Sequence, residues 1–374
     1  MKFPPNGILS LLDENLRYNL AESTAQHLQL SDLLDQETVN ELLGLRLGYG
    51  SSRGHAELRK VISQNLSLDP DDILITNGAA AGLFLTIFLL CNAGDEVLTT
   101  VPNFPPIIDV IKAVGANLVT LPLSFDKGYR LQLEEFRAAL SPRTRLAILV
   151  TPHNPSGVVI TAQELQEAIV LMRERCPEAY LIVDETYRDA IYSGDLKKPT
   201  AAGLSPKVMT VASLSKCHGA PGLRIGWLTC HDPSLMEQLV LGKMNTFISC
   251  SVVDERLALE VLRRSQAILL DRQALLRDAL AKVEQWVKAE SEYIQWIRPY
   301  GGALCCVRLR PDRFDEPSVR SFNEQVKLQQ AQIGCGSWFG EEDRVFRLGF
   351  GFLPLAQLDF ALQAVSRALR ASVT

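Results

Sequence analysis

Ser213-Leu214-Ser215-Lys216-Cys217-His218-Gly219-Ala220-Pro221-Gly222-Leu223-Arg224 is the segment on which the reading of this chain turns. It begins where an apolar run, Val208–Ser213, ends. A lysine then enters a turn of small residues, two hydroxyls precede it, and an arginine follows eight residues later. As chemistry, this is an amine placed to form a Schiff base with an aldehyde cofactor. Ser213, Ser215 and Arg224 would hold that cofactor's phosphate, because a guanidinium fork makes two charge-assisted bonds to phosphate. On its own the segment reads equally well as a surface lysine in a loop.

The surroundings of this segment are strands alternating with helices. The strand candidates are Asp72–Thr76, Glu96–Thr100, Asn117–Leu121, Leu146–Thr151, Ala179–Asp184, Val208–Ser213 and Arg224–Thr229. Runs such as Leu146-Ala147-Ile148-Leu149-Val150 are apolar throughout, as in strands covered on both faces. Between them, Thr161–Arg173 has helical spacing, with Leu165, Ala168, Ile169 and Met172 on one face and Thr161 and Glu164 as a capping box. The alternation predicts an α/β fold with a mostly parallel sheet. From Val252 to Ala289 the pattern predicts a long interdomain helix. Beyond it, Ile294–Ile297, Ala303–Arg308 and Val345–Phe350 predict strands and Leu355–Arg370 a last helix. The expected division is an arm at 1–45 packing on the small domain, a large domain at 46–260, and at 261–374 the interdomain helix with a smaller α+β domain. At 374 residues the chain has room for two domains, at roughly 100–200 residues each.

Other residues with chemical content fall at strand ends, where parallel sheets bind ligands. Asp184 ends an apolar strand; it reads as a carboxylate for a pyridine nitrogen or as a helix cap. Asn154, in Thr151-Pro152-His153-Asn154-Pro155-Ser156-Gly157, and Tyr187 could bond a phenolic oxygen. Taken alone, the Asn154 segment reads better as an Asn-Pro turn. Gly78, Ala79 and Ala80 open a helix whose free N–H groups suit an anion. Arg347, inside the apolar run Phe346–Phe350, suits a substrate α-carboxylate or a structural ion pair.

The net charge of −5, from 38 basic and 43 acidic residues, excludes the basic footprint of a nucleic-acid or anionic-membrane binder. Eight cysteines without a C-x-x-C pair argue against a zinc site, so no metal is expected, and scattered thiols suit the cytoplasm. Met1–Gly7 has no signal-peptide pattern. The longest apolar stretch, Ala79–Cys91, is shorter than the roughly 20 residues of a membrane span and predicts a buried helix.

In order and spacing, from Tyr49 to Arg347, these motifs resemble the class I/II aminotransferase family, the fold type I PLP enzymes. The resemblance implies a large domain with a mostly parallel seven-stranded sheet, a smaller α+β domain and pyridoxal 5′-phosphate (PLP) as cofactor. Lys216 would carry the Schiff base, with Asp184 and Tyr187 beside it as catalytic residues. The cofactor set would be Gly78, Ala79, Ala80, Phe104 stacked on the ring, Asn154, Asp184, Tyr187, Ser213, Ser215, Lys216 and Arg224. Tyr49 would reach a neighbouring subunit's phosphate, which implies a homodimer with shared sites. Arg347 and Asn154 would bind an amino-acid substrate.

Within the family, Leu214–Trp227, Leu47–Arg59 and His153–Gly157 are similar to blocks of cyclases that act on hydroxylated arginine. That implies a cyclodehydratase forming a cyclic guanidine amino acid. The alternative is an aminotransferase that moves an amino group from an L-amino acid to a 2-oxo acid. A catalytically dead binding module is disfavoured by the intact Lys216, Asp184 and Arg347. In the arm, Glu22-Ser23-Thr24-Ala25-Gln26-His27, Glu22 could meet a guanidinium and Thr24 or Ser23 a substrate hydroxyl; the bland reading is a loop. Cys217-His218 stands where the family has an Ala-aromatic pair. His218 reads as a packed, hydrogen-bonded histidine or as a second acid/base.

Overall fold

A computed structural model describes residues 3–13, 16–192 and 199–373; Met1 and Lys2, at the start of the segment read for a signal peptide, lie outside them. The large sheet has seven strands: β1 (Ile73–Thr76), β2 (Glu96–Val101), β3 (Asn117–Pro122), β4 (Thr144–Val150), β5 (Tyr180–Asp184), β6 (Val208–Ser213) and β7 (Gly226–Thr229). Their order is β1-β7-β6-β5-β4-β2-β3, and only β7 runs against the rest.

Period-2 alternation explains the continuous apolar runs. Leu146, Ile148 and Val150 pack on one side of the sheet with Leu83 and Ile87 of α1 (Gly78–Leu90). Ala147 and Leu149 pack on the other with Leu165, Ile169 and Met172 of α2 (Ala162–Arg175). The Thr161–Glu164 capping box is present at the start of α2.

The second, smaller sheet is antiparallel. It contains β8 (Ile294–Ile297), β9 (Leu304–Leu309), β10 (Gly334–Cys335) and β11 (Val345–Gly349), in the order β10-β11-β9-β8. The arm's Tyr18–Asn19 pairs in parallel with Ala331–Gln332 as a separate two-stranded sheet. Leu20 is buried in the core that covers this sheet.

Three expectations need correction. Arg224 is not in a strand: it ends a short turn with φ +50, a left-handed conformation that an extended strand cannot continue. The stretch 252–289 is not one helix. It divides at Arg264 into α3 (Val252–Arg263) and α4 (Ser265–Ala289), and Arg264 has φ −97 and ψ 5. Finally, α1 is buried only on its sheet side, leaving Phe84 37% and Phe88 57% exposed. The last helix, Leu355–Ser372, closes the smaller core.

The arm is seated against glycines. Gly349 N–H donates to the Leu20 carbonyl at 2.6 Å, and a Cβ on Gly349 would lie 1.9 Å from the Glu22 carbonyl oxygen. On the other side, a Cβ on Gly219 would lie 2.2 Å from the Gln26 carbonyl oxygen. Gly349→Ala is therefore expected to force the arm off its seat and destabilise the protein by about 1–3 kcal/mol, the usual cost of overpacking. Urea unfolding measures this; an unchanged midpoint would show that the seat is not tight.

Candidate active site

The carboxyl ends of β1, β2, β4, β5 and β6 all lie on one edge of the large sheet, and β7 begins there. Gly226 pairs with Thr76 on one side and with Ser213 on the other. This register brings the start of α1 next to the Ser213–Arg224 turn. Asn77 caps α1 without a side-chain hydrogen bond, so no cap occupies the first N–H groups at Gly78, Ala79 and Ala80. A Cβ on Gly78, which has φ +76, would lie 2.6 Å from Nη2 of Arg224. Arg224 Nη1 donates to the Pro221 carbonyl at 3.0 Å and reaches Ser215 Oγ at 3.5 Å. Ser213 Oγ accepts from the Ser215 N–H. Helix dipole, guanidinium and hydroxyls thus face one cup that could hold a phosphate.

Asp184 is buried at the end of β5. Its Oδ1 accepts from the Thr186 N–H at 3.0 Å and from Thr186 Oγ1 at 2.6 Å. Burial pushes its carboxyl up, and the Thr186 bonds only partly offset this. No cation among the described residues pairs with it. A buried carboxylate in that position favours a protonated ring nitrogen.

Arg347, on β11, is buried as well. Nη1 donates to Asn154 Oδ1 at 2.9 Å, Nη2 to the Ala21 carbonyl at 2.6 Å, and the Phe339 ring lies 4.6 Å from the guanidinium carbon. Its Nε has no partner among the described residues. Burial works against its charge, and Tyr187 and Glu22 work for it.

The arm contacts this set residue by residue. Ala21 meets Arg347, Glu22 Oε1 lies 3.2 Å from Lys216 Nζ, and Ser23 Oγ lies 2.9 Å from the Tyr187 hydroxyl. Ala25 N–H donates to the Lys216 carbonyl, and Leu28 N–H to that of Gly219. Burial pushes the Glu22 carboxyl up, but Lys216 and Arg347 outweigh it and hold it below its usual value. Thr24 is buried, and its hydroxyl has no partner among the described residues.

Lys216, Glu22, Tyr187, Asn154 and Arg347 are thus one cluster, flanked by the phosphate cup. Phe104 is half-buried against the large core, its N–H bonded to Asn103 Oδ1. Tyr49 is not brought into the site of its own chain; it is 86% exposed. His218 Nε2 pairs with Ser265 Oγ at 2.9 Å, the packed arrangement, while Nδ1 is buried without a partner. His27 packs its ring on Phe352. Sequence reasoning missed the Ser23–Tyr187 bond, the Phe339 platform and the Thr186 clamp. Thr186 carried a usable signal, since an Asp often bonds the residue two positions on; Phe339 carried none.

The family model for aminotransferase class I and II matches residues 15–365. Capreomycidine synthase of Streptomyces vinaceus is 29% identical over 88% of this chain and 83% of its own length. Arginine–pyruvate transaminase of Pseudomonas aeruginosa is 29% identical over 74% of this chain and 71% of its own length. The crystal structure of a PLP-dependent aminotransferase from Streptococcus suis superposes with a TM-score of 0.92, at 27% identity and full coverage of both chains. Family and neighbour imply PLP as cofactor. The residues fit it: an uncapped helix start with Arg224 for the phosphate, a buried Asp184 with no cation beside it among the described residues for the ring nitrogen, and an amine at Lys216 on the same sheet edge.

His153 supports the Asn154 turn. Its Nε2 donates to the Pro102 carbonyl at 2.9 Å, and Nδ1 accepts from Ser156 Oγ at 2.7 Å, with the ring neutral. Burial pushes its imidazole down to about 4, from 6.5 in an open chain. Below pH 6.5 the unfolded chain therefore binds a proton that the folded chain refuses. Stability is full above 6.5 and falls as the pH drops toward 4, by up to about 3 kcal/mol. His218, also pushed down by burial, acts in the same direction. Between pH 6.5 and 4.5, His153→Gln is expected to lose stability less steeply than the parent, as read from urea midpoints. Parallel curves would contradict the assignment.

Proposed function

Because the chain belongs to the aminotransferase class I and II family, we propose that this PLP-dependent enzyme is a cyclase. Its substrate is a hydroxylated arginine, and its product a cyclic guanidine amino acid lighter by one water. The observation that carries this reading is Glu22: an ionised carboxylate inside the site, facing both Lys216 and Arg347. A neutral amino acid gives that charge nothing to bind, whereas a guanidinium matches it. The likeness to capreomycidine synthase adds support.

Bound in this site, PLP supplies an aldehyde that takes up amines and a ring that stores electrons. Lys216 Nζ would hold it covalently and, once released, would take the proton from the substrate Cα. Asp184 would face the ring nitrogen and favour its protonated form. Asn154 and Tyr187 would hold its phenolic oxygen, and Phe104 would lie against the ring. Gly78, Ala79, Ala80, Ser213, Ser215 and Arg224 would hold the phosphate. Arg347, steadied by Asn154 and Phe339, takes the substrate α-carboxylate. Glu22 holds the guanidinium near the carbon that loses its hydroxyl, and the free Thr24 hydroxyl orients that leaving group. The arm covers the cleft and excludes water.

A second reading is transamination, which shares Lys216, Asp184 and Arg347; the likeness to an arginine–pyruvate transaminase favours it. Incubation with arginine and its 3- and 4-hydroxy derivatives, without a 2-oxo acid, separates the two. A product lighter by one water, with PLP retained, is expected. Pyridoxamine phosphate and an oxo acid would decide for transamination.

The proposal includes a homodimer. Phe84 and Phe88 of α1 are exposed, as are Leu241 and Met244 of the adjacent helix Pro233–Met244 and, nearer the start of the chain, Leu47 and Tyr49. A second copy would cover them, and Tyr49 would cross to its phosphate cup. Sedimentation is expected to show a dimer. The cytoplasm is the proposed location; no helix among the described residues is long and apolar enough to cross a membrane.

Two variants test the site. Lys216→Ala is expected to abolish the PLP–protein absorbance and turnover. Asp184→Asn is expected to keep PLP but lose most turnover, because an amide does not hold the ring proton. Near-normal turnover in either would remove that residue from its role.

A further inference from the structure

Glu22 has been treated so far as an anchor for the distal end of the substrate, but its nearest charged partner is Lys216 itself. The two side chains are 3.2 Å apart and only partly exposed, at 27% for Lys216 and 19% for Glu22. We infer that Glu22 is a specificity switch on proton abstraction: once a substrate amine has released Lys216, Glu22 keeps the lysine side chain in an ion pair unless a substrate guanidinium takes its place. The inference rests on the proposed guanidino substrate.

Three observations support it. First, the arm fixes the Glu22 backbone. Gly349 N–H bonds Leu20, Ala25 bonds the Lys216 carbonyl, and Leu28 bonds the Gly219 carbonyl. Gly349 and Gly219 lack the side chain that would push this segment away. Only the Glu22 side chain is left to change partner. Second, Oε1 already accepts the Ser23 N–H at 2.8 Å as well as Lys216. A guanidinium can bond both carboxylate oxygens with a planar fork, whereas an ammonium is a single point charge, so the substrate competes well. Third, among the described residues Arg347 is the one other charged group that acts on Glu22. Arg347 faces Glu22 from the smaller sheet, and Tyr187, which bonds Ser23 of the arm, faces Arg347 from the segment after β5. When the guanidinium neutralises Glu22, Lys216 loses its counter-ion and is left among cations.

The chemical consequence is direct. To take the Cα proton, the Lys216 nitrogen needs a free lone pair: the Cα–H bond breaks, an N–H bond forms, and the electron pair stays on the substrate carbon. A carboxylate beside the nitrogen favours the ammonium, which has no lone pair. Amino acids without a distal cation leave Glu22 on Lys216. They are bound by Arg347 yet react slowly, so discrimination lies in the rate more than in binding.

The test is Cα hydrogen exchange into deuterated water, followed by NMR, with the holoenzyme and arginine or alanine. The parent is expected to exchange arginine quickly and alanine slowly, and added propylguanidine is expected to speed alanine. In Glu22→Gln, alanine exchange is expected to rise by about tenfold or more, the usual reach of an opposite charge at this range, with propylguanidine now without effect. A second readout uses the cofactor-free full chain: acetylation of Lys216, mapped by mass spectrometry, is expected to be faster in Glu22→Gln than in the parent. If alanine exchange and Lys216 acetylation are unchanged in Glu22→Gln while the parent still prefers arginine, Glu22 is an anchor only and the switch is overturned. If the parent exchanges alanine as fast as arginine, the guanidino reading fails with it.

Discussion

The site depends on one lateral register: Gly226 lies between Thr76 and Ser213. A Cβ there would meet the Ala212 carbonyl oxygen, the Ala79 nitrogen and the Gly78 carbon, each at 2.6 Å. Only glycine lets the reversed strand β7 approach the first turn of α1 so closely. Because it does, Arg224 arrives beside Gly78, and Lys216, the third residue past the end of β6, emerges at the same edge. A larger residue at 226 would part the helix start from the guanidinium and split the phosphate cup in two.

The second constraint is that the site is closed by chain from three distant parts of the sequence. Arg347 is a buried charge on the smaller sheet. Such burial is tolerable only with partners, and they are the Asn154 amide from the large sheet's edge and the Ala21 carbonyl from the arm. The pairing of Tyr18–Asn19 with Ala331–Gln332 and the glycine seat at 349 therefore do more than add a strand. They carry the arm's polar residues to Lys216 and Tyr187.

Much of this was legible in the sequence because the large sheet is covered on both faces. Leu146–Val150 reads as a buried strand for the same reason that it is one. Strand-end residues such as Asp184 and Lys216 could be singled out because strand ends in such a sheet converge. Other features depended on what the chain meets in space. The break at Arg264 lies inside a continuous helical pattern. The exposure of Phe84 and Phe88 is invisible in an apolar run. The reach of Arg224 comes from a left-handed turn that residue type alone does not announce. Glu22 was legible only as an acid on an arm; its position against Lys216 is set by glycines some two hundred and more than three hundred residues away.

Charge accounting ties these parts together. On the proposed function, the cup at Arg224 and the start of α1 would answer a phosphate and Asp184 a protonated ring, so the cofactor would be balanced without the arm. What remains is Lys216, Arg347 and Glu22. Arg347 would answer the substrate α-carboxylate. Once a substrate amine has replaced Lys216 on the cofactor, the lysine is free, and Glu22 is the one acid that touches it among the described residues. An enzyme that needed only an α-amino acid would have no use for a second acid there, since it ties up the base. On the proposed function, the arrangement would become productive when the substrate brings its own cation: the carboxylate that pairs with Lys216 would hold the guanidinium and leave the lysine to act.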